Sequence, residues 1–240
     1  KNKRGLGSDE ETMAVKKQRA NAHKADLAHK AYQGIRQMLF FNEILPGQKI
    51  KYQDLADRIG VSITPVIHAL KWLEFKNIVR HEANRGYFVN EVSLKEIKEI
   101  YDSRLLLEVA LVPEIVAHSD DEAEDRLRQM QDEYRAAVEA EDYFNRLMTD
   151  MKFHLTLAAI SQCQIQVRML QELFDMLLLK YTRNLVLLGI MDSSPQEHGQ
   201  IFDALIAKNP DRLEKSLSNH LIHVRGHIIS GFKKMFVHKR

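Results

Sequence analysis

The sequence has one cysteine, one tryptophan and no uninterrupted apolar run long enough to cross a bilayer. The lone Cys163 excludes an internal disulfide, which fits a reducing compartment. The longest apolar region, Met176 to Met191, is interrupted by Lys180 and Arg183 and is too short and too charged to span a membrane. Behind Lys1-Asn2-Lys3-Arg4 there is no apolar stretch of the kind a secretory signal needs. The expected location is therefore the cytoplasm, with no membrane partner. Internal repeats and low-complexity segments are also missing. Outside one short hairpin no strand pattern is convincing, so the chain is expected to be mainly α. Its 240 residues allow one large or two small domains, and 45% hydrophobic residues suffice for ordinary cores.

A net charge of +2 conceals an asymmetry. Residues 1–90 hold 16 Lys+Arg against 9 Asp+Glu, a net of +7, whereas residues 91–240 hold 19 against 24, a net of −5. A basic part joined to an acidic one suggests that only the first meets a polyanion. Chance unevenness between domains is the alternative.

The basic part centres on Asp54 to Ala69. Leu55, Ala56 and Ile59 mark one apolar helical face. Gly60 can take the left-handed conformation that ends a helix, Ser62 or Thr64 can cap the next one, and Pro65 suits its first turn. The second helix runs on through Val66, Ala69, Leu70 and Leu73. Helix, glycine turn and helix is the unit that sets a recognition helix in the DNA major groove, or else an ordinary helical hairpin. After Phe75, two β-prone segments flank the polar turn Glu82-Ala83-Asn84-Arg85-Gly86, which makes a short hairpin. A hairpin placed there is the wing of a winged helix. Trp72 is expected to pack. Upstream, Leu27, Ala31, Ile35, Met38 and Leu39 repeat at helical spacing over 25–42. Candidate DNA contacts are Gln53, Ser62, Thr64, Lys71, Arg85 and Gly86. Of these, Gln53 can bond an adenine edge, Lys71 a phosphate, and Arg85 a phosphate or the minor groove. Lys16, Lys17, Arg19 and Lys24 are further candidates for phosphate.

Three parts follow: a flexible tail over residues 1–24, a winged helix-turn-helix over 25–91, and an all-helical domain over 92–240, for which the family resemblance given below implies effector binding and dimerisation. Ser93 followed by Glu96 is a capping box opening a long helix, and Pro113 is placed to kink it. The expected helices are 94–118, 121–140, 142–160, 164–190, 195–207 and 211–235.

Within the helical part, Asp150 and His154 stand four apart, on one helical face and close enough to share a metal. His198 precedes the turn Lys208-Asn209-Pro210-Asp211 and His220 follows it, each 11 residues from Asn209. An antiparallel hairpin folded there sets the two imidazoles at one level. An aspartate and three histidines gathered inside a bundle would suit a divalent metal, Zn, Ni, Fe or Mn. Surface pairing of Asp150 with His154 is the alternative.

Val61 to Leu70, followed by Arg85-Gly86-Tyr87-Phe88-Val89 and preceded by Leu45-Pro46-Gly47, resembles the winged-helix domain of the GntR family of bacterial transcription regulators. The resemblance departs from the family where charge is usual: Ile63 and Ile67 stand in the places of arginines, and His68 in that of a glutamate. Asp150-x-x-Phe153-His154, Glu197-His198 and Asn219-His220-Leu221 resemble the ligand-binding domain of the FadR branch, an antiparallel helical bundle. The resemblance implies a metal held by Asp150, His154, His198 and His220. It also implies an effector-facing Arg104 within Asp102-Ser103-Arg104-Leu105-Leu106-Leu107-Glu108, where a guanidinium fork would suit a small carboxylate. A salt bridge to a neighbouring helix is the other reading of Arg104. His118, His223 and His227 match no motif. The function implied is a homodimeric regulator that reads a double-stranded operator and responds to a small organic acid. A metal-dependent enzyme with an accessory DNA module is the alternative, with Glu197 the carboxylate beside the proposed ligands.

Overall fold

A computed structural model describes residues 24–91, 93–188 and 194–237. Apart from Lys24, the expected tail lies outside the described residues, as do the end of the 164–190 helix and the last three residues. The chain divides into two compact units between Glu91 and Val92.

The first unit contains helix α1 over 24–40, α2 (Tyr52–Ile59), α3 (Ile63–Phe75), and strands β1 (Val79–Glu82) and β2 (Gly86–Val89). Ala31, Ile35 and Leu39 of α1 are buried with Leu55 and Ala56 of α2 and Val66, Ala69, Leu70 and Leu73 of α3. Each large aliphatic side chain buried here contributes about 1.5–3 kcal/mol relative to exposure. Gly60 has φ 70°, and its N–H donates to the carbonyl of Ala56, closing α2. Ser62 holds the N-cap position of α3, but its hydroxyl makes no capping bond, contrary to expectation. The strands are antiparallel, pairing Val79 with Val89 and Glu82 with Gly86. A bridge from Lys49 to Phe88 ties the segment before α2 to the hairpin.

The second unit consists, among the described residues, of helices α4 (Leu94–Ala110), α5 (Val112–His118), α6 (Asp121–Glu139), α7 (Tyr143–Ile160), α8 (Gln164–Leu188), α9 (Ser194–Ile206) and α10 (Pro210–Val237). The single helix expected over 94–118 is two, separated at Leu111. Pro113 has no N–H to continue the hydrogen-bond ladder and sits in the first turn of α5. Asp120, Asp142 and Asn209 cap α6, α7 and α10 by accepting from Ala123, Asn145 and Arg212. Short connections make α6–α7 and α9–α10 antiparallel neighbours, and α10 also packs on α4.

The capping box at α4 forms by half. Ser93 Oγ accepts from the Glu96 N–H, but the Glu96 carboxylate turns to Lys180 and Tyr181 instead of back to the Ser93 N–H. That N–H donates to the Tyr181 hydroxyl at 3.4 Å. No helix among the described residues is long and apolar enough to cross a membrane.

Candidate metal centre and nucleic-acid face

Helix α7 presents Asp150 and His154 one turn apart, because a four-residue step returns to the same helical face. His198 lies in the first turns of α9, and His220 lies in α10 beyond the turn at Asn209. The hairpin brings their rings to 4.7 Å between centroids. All four side chains converge, with one ligand atom of each within 4.8 Å of every other.

His154 Nε2 and His220 Nε2 stand 3.1 Å apart. Two nitrogens about 2.1 Å from one ion are separated by about 3.0 Å at a right angle and about 3.4 Å at a tetrahedral one, and opposite ligands by about 4.2 Å. The 3.1 Å between the two imidazole nitrogens falls in the range of neighbouring ligands on one ion. The opposite ring nitrogens point to carboxylates. His154 Nδ1 meets Glu108 Oε2 at 2.6 Å, and His220 Nδ1 meets Glu197 Oε2 at 2.8 Å. An imidazole whose Nδ1–H donates to a carboxylate carries its lone pair on Nε2, the atom turned inward.

His198 is fully buried, and neither of its ring nitrogens has a hydrogen-bond partner. Its Nε2 lies 3.3 Å from Asp150 Oδ1 without the alignment of a hydrogen bond. An orphaned buried nitrogen is costly unless something completes it. Phe153 stacks on this ring at 4.3 Å, and Tyr134 lies 4.5 Å away, fixing its plane.

Burial pushes the His198 and His220 imidazoles below their ordinary pKa, outweighing the pull of nearby carboxylates, so both are neutral at pH 7. Burial alone would raise the Asp150 carboxyl. The nearby His198, His154 and His220 rings instead hold it well below the usual carboxylate range. A carboxylate among imidazoles is a donor set suited to a divalent cation of the first transition row. The residues present therefore fit the metal that the family resemblance implies.

Arg104 is buried on α4, but its partner is not on a neighbouring helix. Nε donates to Glu108 Oε1 at 2.9 Å, one turn along the same helix. The guanidinium lies over the Phe174 ring at 4.2 Å, and one terminal nitrogen, Nη2, is buried without an acceptor. Glu108 is held down to about 2. Burial opposes its ionisation, but His154 and Arg104 together prevail.

Sequence reasoning missed the roles of Glu108 and His223. Glu108 lay in view as the i+4 neighbour of Arg104 on the apolar stripe Ile97, Ile100, Tyr101. His223 stands three residues after His220 and shares Glu197 with it, at 2.8 Å from Oε1.

In the first unit, Thr64, His68, Lys71 and Trp72 are exposed along one face of α3, with Ile63 at its start. A groove of about 580 Å³ lies beside this face, lined by Lys24, Ser62, Thr64, His68 and Trp72, among others. Trp72 is 45% exposed and meets Tyr32 edge-on, so it packs through one edge only. Gln53 is exposed but donates to Asp57 Oδ1 at 2.7 Å. Arg85 is exposed at the wing, paired with Glu82 and lying over the Phe88 ring at 5.2 Å. Gly86 has φ 93°, a conformation that favours glycine, and a Cβ there would stand 2.8 Å from the Tyr52 hydroxyl oxygen, which would have to shift. The Tyr87 hydroxyl donates to Glu74 Oε2 at 3.2 Å, tying the wing to α3.

A helix-turn-helix with a wing, followed by an all-helical unit, is the architecture of a DNA-binding regulator. Residues 27–89 match the bacterial regulatory proteins of the gntR family, and residues 99–223 match the FCD domain. The chain belongs to the GntR family of transcription regulators and carries an FCD domain. It is 27% identical to the HTH-type transcriptional regulator LutR of Bacillus subtilis, over 81% of this chain and 97% of that protein. It is 26% identical to the HTH-type transcriptional repressor RspR of Escherichia coli, over 74% and 78%. In fold it is similar to a crystallised GntR regulator from a Rhodococcus species, with TM-score 0.72 and 22% identity over 85% of this chain and 97% of that one.

Proposed function

We propose that this chain is a cytoplasmic, homodimeric regulator whose helical unit holds one divalent metal ion through Asp150, His154, His198 and His220 and senses a small organic acid. The observation that carries the reading is the convergence of these four groups within 4.8 Å, with the ring nitrogens of the buried His198 lacking a hydrogen-bond partner. Zn, Ni, Fe or Mn each suit such donors. When bound, the ion supplies a positive charge that attracts a carboxylate. Arg104 supports the same choice of effector, because its buried Nη2 lacks an acceptor that a carboxylate would provide.

The winged unit meets DNA through the exposed face of α3 and the wing, with Gln53, Ser62, Thr64, Lys71, Arg85 and Gly86 as contacts. Two copies would read a near-palindromic operator, since one recognition helix reads too few bases for useful specificity. The effector acts by binding one arrangement of the dimer better than another.

The test is metal analysis of protein purified without added metal or chelator, wild type beside His154→Ala. The expected result is about one ion per chain, lost in the variant. Equal metal content in the two, or none in the wild type, sinks the metal assignment.

A further inference from the structure

Among the described residues, two carboxylates outside the proposed ligand set touch its imidazoles, and they differ in kind. Glu197 is shared between His220 and the exposed His223 at the edge of the bundle. Glu108 is fully buried. One of its oxygens takes His154 Nδ1 at 2.6 Å, while the other takes Arg104 Nε at 2.9 Å. The carboxylate is therefore used on both sides, once by a candidate ligand and once by the arginine proposed to meet the effector.

We infer that Glu108 is a positioning residue that spans the two halves of the sensing site: it locks His154 with its Nε2 lone pair facing the metal position, and it holds Arg104 with Nη2 free for a carboxylate. The inference rests on the metal reading above. A carboxylate can only accept, so it admits only a donating Nδ1–H and excludes the tautomer with the proton on Nε2. That exclusion matters here because His154 Nε2 faces His220 Nε2 at 3.1 Å, where a proton on the wrong nitrogen would block the ligand. The Arg104 side chain, pressed over the Phe174 ring, is anchored through Nε to the same carboxylate. Ion and effector would then share one buried residue, and a change in how Glu108 is held at one site is felt at the other.

Glu108→Gln is the discriminating variant. It keeps the shape, but an amide can accept from Nδ1–H or donate to a bare Nδ1, so the tautomer is no longer dictated. Ni²⁺ affinity of apo-protein would be measured by competition with a chromophoric chelator, for wild type, Glu108→Gln and the exposed control Glu114→Gln, whose carboxylate pairs with His118. Imidazole tautomers would be read from ¹⁵N long-range NMR of histidine-labelled wild type and Glu108→Gln.

The expected result is a loss of Ni²⁺ affinity of roughly 10–100-fold in Glu108→Gln, with none in the control. It should be accompanied by a shift of one buried ring away from a single Nδ1–H tautomer. Should Glu108→Gln fail to fold, the wild-type spectrum decides alone: a His154 ring protonated on Nε2 overturns the inference. Wild-type affinity in a folded Glu108→Gln also overturns it, leaving the metal site intact. Absence of Ni²⁺ binding by the wild type instead removes the metal reading and this inference with it.

Discussion

The two units carry their chemistry in opposite ways. In the helical unit the working side chains are buried and already aimed: Arg104, Glu108, His154, His198 and His220 are each 2% exposed or less. In the winged unit the working side chains lie on the surface, and several are occupied with one another, Gln53 with Asp57 and Arg85 with Glu82. A small ligand has few groups with which to organise its site, so the protein must organise it beforehand, at the cost of burying polar atoms. DNA offers a dense, regular row of phosphates, so an exposed cation can wait in a weak surface pair and exchange it on contact. Damage to the first kind of site should therefore be large and local, and damage to the second small and graded.

The largest break tests whether the units stand apart. Leu70 is fully buried at the centre of the winged unit. Leu70→Ala should cost about 2–5 kcal/mol through lost burial and the cavity left behind. We expect operator binding in gel shifts to collapse on warming while the metal content of the purified protein is unchanged. A parallel fall in metal content would show that the buried centre depends on the winged unit.

The next test concerns acid and separates the two kinds of site in the metal-free protein. The Glu108 carboxyl is held down to about 2 in the folded chain, against an ordinary 4.5. Between those values the unfolded chain binds more protons, so stability rises with pH there. The contribution is fully present above about pH 4.5 and is lost as pH falls towards about 2, on the order of a few kcal/mol. Thermal melts of apo-protein between pH 6 and pH 3 should show the helical unit weakening on that slope. Glu108→Gln should flatten it. An unchanged slope in the variant would mean that other carboxylates govern acid unfolding.

The difference between the units also decides what could be read from the sequence. Helical spacing put Asp150 and His154 on one face, and symmetry about Asn209 brought His198 level with His220, because both are properties of backbone geometry alone. Gly60 and the hairpin of residues 79–89 were legible for the same reason: a left-handed stop and a polar turn are local. The partners of Glu96 were not legible. A capping box is a local pattern, but Glu96 is drawn to Lys180 and Tyr181, more than eighty residues away, where a buried ammonium and hydroxyl need it more than the solvated end of a helix does. Arg104 shows the reverse. The expectation was an effector-facing guanidinium, with a salt bridge to a neighbouring helix as the alternative; its ion-pair partner is its own i+4 neighbour, whose significance rests on a histidine 46 residues further on. The kink expected at Pro113 within a continuous helix over 94–118 is a full break at Leu111: the apolar periodicity runs through it, while the absent N–H of Pro113 interrupts the ladder.

The smallest expected effect lies at the wing, where charge is only provisionally committed. Glu82 pairs with Arg80 at 3.1 Å and also with Arg85, whose side chain is 68% exposed. Exposed pairs of this kind are worth about 0–1 kcal/mol, so DNA phosphate can compete for Arg85. Arg80 is held differently, because its Nη1 also donates to the carbonyl of Val89 at 3.1 Å, and it should stay in place. Removing the carboxylate in Glu82→Gln would therefore release essentially one cation towards DNA. We expect non-specific DNA to bind a few-fold tighter and the slope of log K against log salt to steepen by about one at most. Arg85→Ala should move both quantities the other way. Salt titrations of wild type and the two variants on the same duplex decide the matter. If both variants follow the wild-type line, Arg85 does not meet phosphate and the wing serves only to brace α3 through Tyr87 and Glu74.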